Sequence, residues 1–203
     1  MAKGYLVLFA FLWFCINRFM RTRGQTLQAA YRKHIEPLGE HVQFAVNLTL
    51  KESATICTPY ANGYGVYKRK EKLDEDKLVS SIRYFNALLT RSLFGNKARH
   101  PNKQDWAKPL AVYSVEGRNT VKRLHIHAAV GNVPEQHREK FPLLVKSAWQ
   151  RCDFSHRDMK IVEVYDAAGW YEYITKQIGY TDNDCLDIVN SVIPPFIKQR
   201  ICT

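Results

Sequence analysis

Two alternating stretches separated by five residues constrain this chain more than anything else in it. LAVYSVEG (110–117) and RLHIHAAVG (123–131) flank RNTVK (118–122). β-Forming runs closed by so short a link pair as an antiparallel hairpin. Side chains of one parity leave a strand on one face. Leu124, Ile126, Ala128 and Val130 form the apolar face of the second strand, so His125 and His127 share the other with Ala129 and Gly131. With 116 opposite 125, residue 114 falls opposite 127, and Glu116 joins both histidines. A slip of one residue would send Glu116 to the far face.

The flanking segments set the hairpin in a simple order. TLQAAYRKHIEPLG (26–39) reads as a basic helix and VQFAVNLTLK (42–51) as a strand; YANGYGVYKRK (60–70) reads as a loop. In DEDKLVSSIRYFNALLTRSLFG, Leu78, Ile82, Phe85, Leu89 and Leu93 recur at helical spacing, and Gly95 is a C-terminal stop. After the hairpin, 134–151 reads as a helix, with Pro134 in its first turn and Pro142 as a kink. MKIVEVYD (159–166) is a strand, AAGWYEYITKQIGY (167–180) a helix capped by Asp166, and IPPF ends regular structure. The order β-α-β-β-α-β-α predicts an α+β fold: a ferredoxin-like or RRM-like split βαβ with an antiparallel central sheet and a C-terminal helix.

Two imidazoles and a carboxylate make a three-ligand site with open positions for a divalent ion acting as a Lewis acid. The plain alternative is a pair of half-buried strand histidines. Structural zinc fits less well, because no cysteine stands at ligand spacing; a non-haem iron centre would use the same ligands. The last helix adds chemistry. Tyr171, Ile174 and Ile178 fall on one face, while Tyr173, Lys176, Gln177 and Tyr180 fall on another.

In this order the chain resembles the HUH endonucleases of the rolling-circle replication initiator (Rep) type. FAVNLTLK (44–51) is similar to that family's first motif, HIH (125–127) to its second, and YITK (173–176) to its third. The likeness covers 42–181, about two thirds of the chain. It implies a single nuclease domain over 41–203, behind a hydrophobic and basic segment over 1–40. The helicase domain of larger viral members is missing.

The resemblance implies metal-dependent nicking and joining of single-stranded DNA, initiating rolling-circle replication of a plasmid or phage. Tyr173 would be the nucleophile, forming a 5′-phosphotyrosine. Lys176 would stabilise developing charge, and Glu116, His125 and His127 would hold Mg²⁺ or Mn²⁺. The implied partners are single-stranded origin DNA near a hairpin, with helicase and polymerase supplied in trans. Transposases of the same chemistry use a glutamine four residues after the tyrosine, where Gln177 stands, and Tyr171 or Tyr180 is the alternative nucleophile. A non-catalytic RRM-like nucleic-acid-binding module is the rival from another class. An iron oxygenase would have no evident use for the helical Tyr and Lys.

Charge agrees with a polyanionic partner: 30 Lys+Arg stand against 19 Asp+Glu, net +11. Lys68, Arg69 and Lys70 follow Tyr60, Tyr64 and Tyr67, and Arg118, Lys122 and Arg123 flank the hairpin turn. Either stretch could hold phosphates and bases, or be an ordinary solvated loop. No G-x-x-x-x-G-K-[ST] or G-x-G-x-x-G is present, which gives no sign of a nucleotide motor or dinucleotide enzyme. Cys15, Cys57, Cys152, Cys185 and Cys202 are dispersed and odd in number, as suits a reducing, cytoplasmic setting. Tyr5 to Ile16 is an unbroken apolar run, shorter than the roughly 20 residues of a bilayer span. It reads as a short anchor giving membrane contact, a packed helix, or sequence upstream of a true start at Met20.

Overall fold

The computed structural model describes residues 25–60, 63–99, 106–118, 120–180 and 182–201. Helix α1 (25–35) runs into a 3-10 turn (Glu36–His41) and strand β1 (Val42–Leu50). Next come a hairpin of β2 (Ser53–Pro59) and β3 (Val66–Lys72), then the long helix α2 (Glu75–Phe94). The predicted ribbon follows as β4 (Leu110–Glu116) and β5 (His125–Gly131), then α3 (Phe141–Trp149) and β6 (Ser155–Glu163). The chain continues through α4 (Ala167–Ile174), β7 (Leu186–Val192) and α5 (Pro195–Ile201).

Five strands form one antiparallel sheet in the order β6-β1-β5-β4-β7. Its four split-βαβ strands run fourth-first-third-second across the sheet, with α2 and α3 as crossovers. That is the ferredoxin-like or RRM-like α+β arrangement, widened by β7 at the β4 edge. β4 is buried along its whole length because both sheet faces are covered. Phe44, Val46, Leu48, Tyr113, Val115 and Ile126 meet α2 and α3 in the larger core. Val42, Leu110, Val112 and Ala129 meet Tyr171, Ile174 and Ile178 on the other side.

Local chemistry explains α2 well. Asp74 accepts a hydrogen bond from the Lys77 amide at 2.9 Å, the periodic leucines are buried, and Gly95 ends the helix at φ +57°. Elsewhere the structure departs from expectation. Residues 66–72 form β3 rather than a loop, because their ladder with β2 runs in unbroken register from Ser53↔Lys72 to Pro59↔Val66. Pro142 lies in the first turn of α3, where its missing N–H has no helical partner to lose, so it starts a helix instead of kinking one. α4 stops at Ile174. Ser114 Oγ donates to the Ile174 carbonyl at 2.8 Å, and Gln28 Nε2 donates to the Thr175 carbonyl at 2.7 Å. The Ile174 carbonyl is thereby taken from a further α-helical turn, the Thr175 carbonyl accepts the Ile178 amide in a tighter turn, and Gly179 (φ +83°) turns the chain away. β7 lies in a stretch for which no element was expected, and α5 begins within IPPF, where regular structure was expected to end.

Among the described residues no helix is long and apolar enough to cross a membrane. The apolar stretch 5–16 and the alternative start at Met20 lie outside the described residues.

Candidate metal centre

The expected register is the one adopted: Glu116 stands opposite His125, and Ser114 opposite His127. β1 lies on the other side of β5 and sets Asn47 opposite His127 and Thr49 opposite His125. Period-two alternation then lifts Glu116, His125 and His127 from one face at one end of the sheet. Gly117 ends β4 directly behind Glu116 at φ +105°, and a Cβ there would lie 2.8 Å from the Arg123 carbonyl oxygen.

The three ligand atoms lie within 4.8 Å of one another. Glu116 Oε2 is 3.4 Å from His125 Nε2 and 3.5 Å from His127 Nε2. Glu116 and His127 are buried, and His125 is partly exposed. Both imidazoles have their other nitrogen committed. His127 Nδ1 donates to Asn47 Oδ1 at 2.5 Å, and His125 Nδ1 donates to the Arg123 carbonyl at 2.8 Å. A carbonyl oxygen only accepts, so Nδ1 carries the proton in each neutral ring and Nε2 presents its lone pair.

These groups suit a cation. Glu116 Oε1 and His127 Nε2 are buried without a hydrogen-bond partner among the described residues. Leaving such atoms unpaired costs about 1–3 kcal/mol each, and a divalent ion among them would satisfy both. The Glu116–His125–His127 group could therefore hold a metal ion, with no cysteine in the set.

Electrostatics sharpen the picture. Burial pushes the Glu116 carboxyl toward neutrality, but interaction with a protonated His125, the charge that His127 carries when protonated and the Lys176 ammonium donor prevail and hold it well below the ordinary carboxylate range. The hydrogen bond to Glu116 raises His125, against burial, while burial lowers His127 despite the same partner.

α4 lies across the open side of this group. Asp166 caps it by accepting from the Gly169 amide at 3.0 Å, as expected. Tyr171 and Ile174 are buried against the sheet, leaving Tyr173 partly exposed over the histidines. The Tyr173 ring meets that of His127 edge-on at 5.0 Å and stacks on Trp170 at 5.4 Å. Lys176 Nζ lies 3.5 Å from the Tyr173 ring centroid and 3.1 Å from Glu116 Oε2. Gln177 Nε2 donates to the same oxygen at 3.2 Å. Lys176 and Gln177 therefore reach Glu116 from the turn beyond α4, not from a helical face. Tyr180 is exposed farther along that turn, whereas Tyr171 is buried, and burial pushes its phenol well above the usual value.

The basic residues sort differently. Arg69 is tied to Glu71, and Arg118 pairs with Glu75 at 2.7 Å and Asp182 at 3.4 Å. Neither guanidinium is unpaired, whereas Lys68, Lys70 and Lys122 have no ion pair among the described residues. Arg123 contacts His156 Nε2 at 3.2 Å. Sequence reasoning passed over Asn47 and Trp170. An asparagine inside an apolar strand is a signal, because strands disfavour it; Trp170 stands one helical turn before Tyr173.

No protein-family model, curated protein or solved structure matches the chain.

Proposed function

We propose that this chain nicks and rejoins single-stranded DNA through a covalent 5′-phosphotyrosine, in the manner of a rolling-circle initiator of the HUH type. One observation carries the reading: Lys176 touches both the Glu116 carboxylate and the Tyr173 ring, which joins an acid and two histidines to an accessible phenol.

Mg²⁺ or Mn²⁺ held by Glu116, His125 and His127 would supply Lewis-acid polarisation of the phosphate's non-bridging oxygens. The remaining steps belong to the chain. Tyr173 Oη attacks the phosphorus in line, giving up its proton to solvent. The bond from phosphorus to the 3′ oxygen breaks, and that oxygen takes a proton to leave a free 3′-hydroxyl. Lys176 stabilises the negative charge that gathers during attack, and Trp170 and His127 restrict the ring so that less orientational freedom is lost. Rejoining is the reverse attack by a 3′-hydroxyl. The free 3′ end would serve a polymerase, with helicase supplied in trans, and the element served would be a plasmid or phage.

Gln177 on Glu116 keeps a transposase variant of the same chemistry in view, which Gln177→Ala separates by whether metal dependence changes. The main test incubates the full chain with labelled single-stranded oligonucleotides and Mn²⁺. A denaturation-resistant protein–DNA adduct should form and vanish in Tyr173→Phe. An adduct that persists in Tyr173→Phe, or none with any oligonucleotide while metal binds, would overturn the assignment.

A further inference from the structure

The β2–β3 hairpin stands outside the main sheet and has two unlike faces. Ala54 is buried and Ile56 packs on the larger core, and across from them are Glu71 and Arg69. The outer face pairs Ser53 with Lys72, Thr55 with Lys70 and Cys57 with Lys68. Alternate residues on a strand are about 7 Å apart, so three exposed ammonium groups stand in an evenly spaced row. A groove shares Lys70 and Lys72 with this row and is also lined by Lys122 and Arg123. Gly117 and Leu124 also line it; they adjoin Glu116 and His125 in the chain, and Leu124 packs on the larger core across the sheet from them.

Three of the four acids that line the groove are already engaged, and Glu52 has no ion pair among the described residues. Glu71 pairs with Arg69 and Lys77, Asp74 with Lys77, and Glu75 with Arg118. Lys68, Lys70, Lys72 and Lys122 have no ion pair among the described residues. The surplus is a line of positive charge along the outer face of the hairpin and into the groove.

We infer that this row and groove form a track for a single-stranded DNA flank of the scissile strand, with Lys68, Lys70, Lys72 and Lys122 neutralising its phosphates. The inference rests on the nicking reading for its choice of polyanion. The linear, regular spacing fits an extended chain of phosphates. The hydroxyl and thiol groups opposite the lysines offer no apolar surface for a bilayer. Exposed Tyr60 and Tyr64 at the hairpin tip are placed to stack on unpaired bases as the strand leaves.

The test is binding without cleavage. The full chain, in EDTA, is titrated by fluorescence anisotropy with a labelled oligothymidylate across a salt series. For single strands the slope of log affinity against log salt is about 0.7 per phosphate contact, so replacing Lys68, Lys70 and Lys72 together by Gln should flatten it by about 2. The same replacement at exposed Lys140, Lys146 and Lys198 should leave it unchanged. Equal slopes in the two triple variants, or equal affinity for a duplex of the same length, would overturn the track. Adduct formation with Mn²⁺ is scored separately. A chain that nicks but keeps its slope loses the track and retains the chemistry, whereas one that loses its slope yet never forms the adduct does the reverse.

Discussion

The Asn47 amide oxygen lies 2.5 Å from His127 Nδ1, across adjacent strands paired at those two residues. This contact fixes which imidazole nitrogen keeps its proton and leaves Nε2, buried and unpartnered, directed at Glu116. Asn47→Leu should weaken Mn²⁺ binding by about 10–100-fold, the usual effect of losing a histidine's outer hydrogen bond. Asn47→Asp should retain most of the affinity. Calorimetry measures the change, and nitrogen NMR of His127 should show a mixed tautomer only in the Leu variant. Unchanged affinity and tautomer in Asn47→Leu would remove the positioning role.

Protons should compete with the metal through His125. The hydrogen bond to Glu116 raises its pKa above the usual 6.5, so the proton on Nε2 persists to higher pH than on a free imidazole. In metal-free protein that raised value adds stability in full below 6.5 and loses it as pH rises through the folded value. Burial lowers His127, whose sign is opposite: its contribution is present above 6.5 and is lost as pH falls through the lowered value. Metal needs both lone pairs, so the rise in Tm produced by Mn²⁺ should grow as pH climbs above 6.5. Thermal scans with EDTA or Mn²⁺ over this range check it, and His125→Ala should abolish most of the metal-dependent gain. A gain that is flat with pH would contradict the ligand assignment.

Lys176 provides a positive charge beside the buried Glu116 carboxylate, and it is itself partly exposed. Lys176→Met should cost about 1 kcal/mol in EDTA, the range for a partly solvated pair, and Mn²⁺ should restore most of that loss. Under the nicking reading the same variant should slow adduct formation by about a hundredfold, as when one charge-stabilising donor is removed. Normal adduct rates would leave Lys176 a structural partner of Glu116 alone.

How much of this was legible in the sequence depends on how local the cause is. Glu116, His125 and His127 could be placed together because a five-residue turn and period-two alternation leave few registers, and burial of one face penalises a slip. α2 could be read from Asp74, its buried periodic residues and Gly95, all within its own span. The end of α4 could not, because the Ile174 carbonyl is taken by Ser114, a residue far away in the chain. β3 was hidden by its own charge: VYKRKEK lacks an apolar face, and only its pairing with β2 makes it a strand. Arg69 and Arg118 could be singled out by charge, but their partners Glu71, Glu75 and Asp182 could not, because only the folded chain sets them together.

Ser114 links the sheet to the helix that carries Tyr173. Its hydroxyl is fully buried and donates to the Ile174 carbonyl at 2.8 Å, while Thr175, next in the chain, is held by Arg32 Nε at 3.1 Å. Ser114→Ala leaves a buried carbonyl unpaired at a cost of about 1–3 kcal/mol, with little change in volume. The loss should fall on α4 rather than on the metal ligands, since Glu116, His125 and His127 are held by strand pairing. Hydrogen exchange should therefore quicken for amides near Thr175 and Lys176, with Mn²⁺ affinity preserved. Slower adduct formation at constant metal affinity would place Ser114 as a positioning residue for the phenol. Loss of metal binding in Ser114→Ala would show instead that the helix and the ligand group form a single cooperative unit.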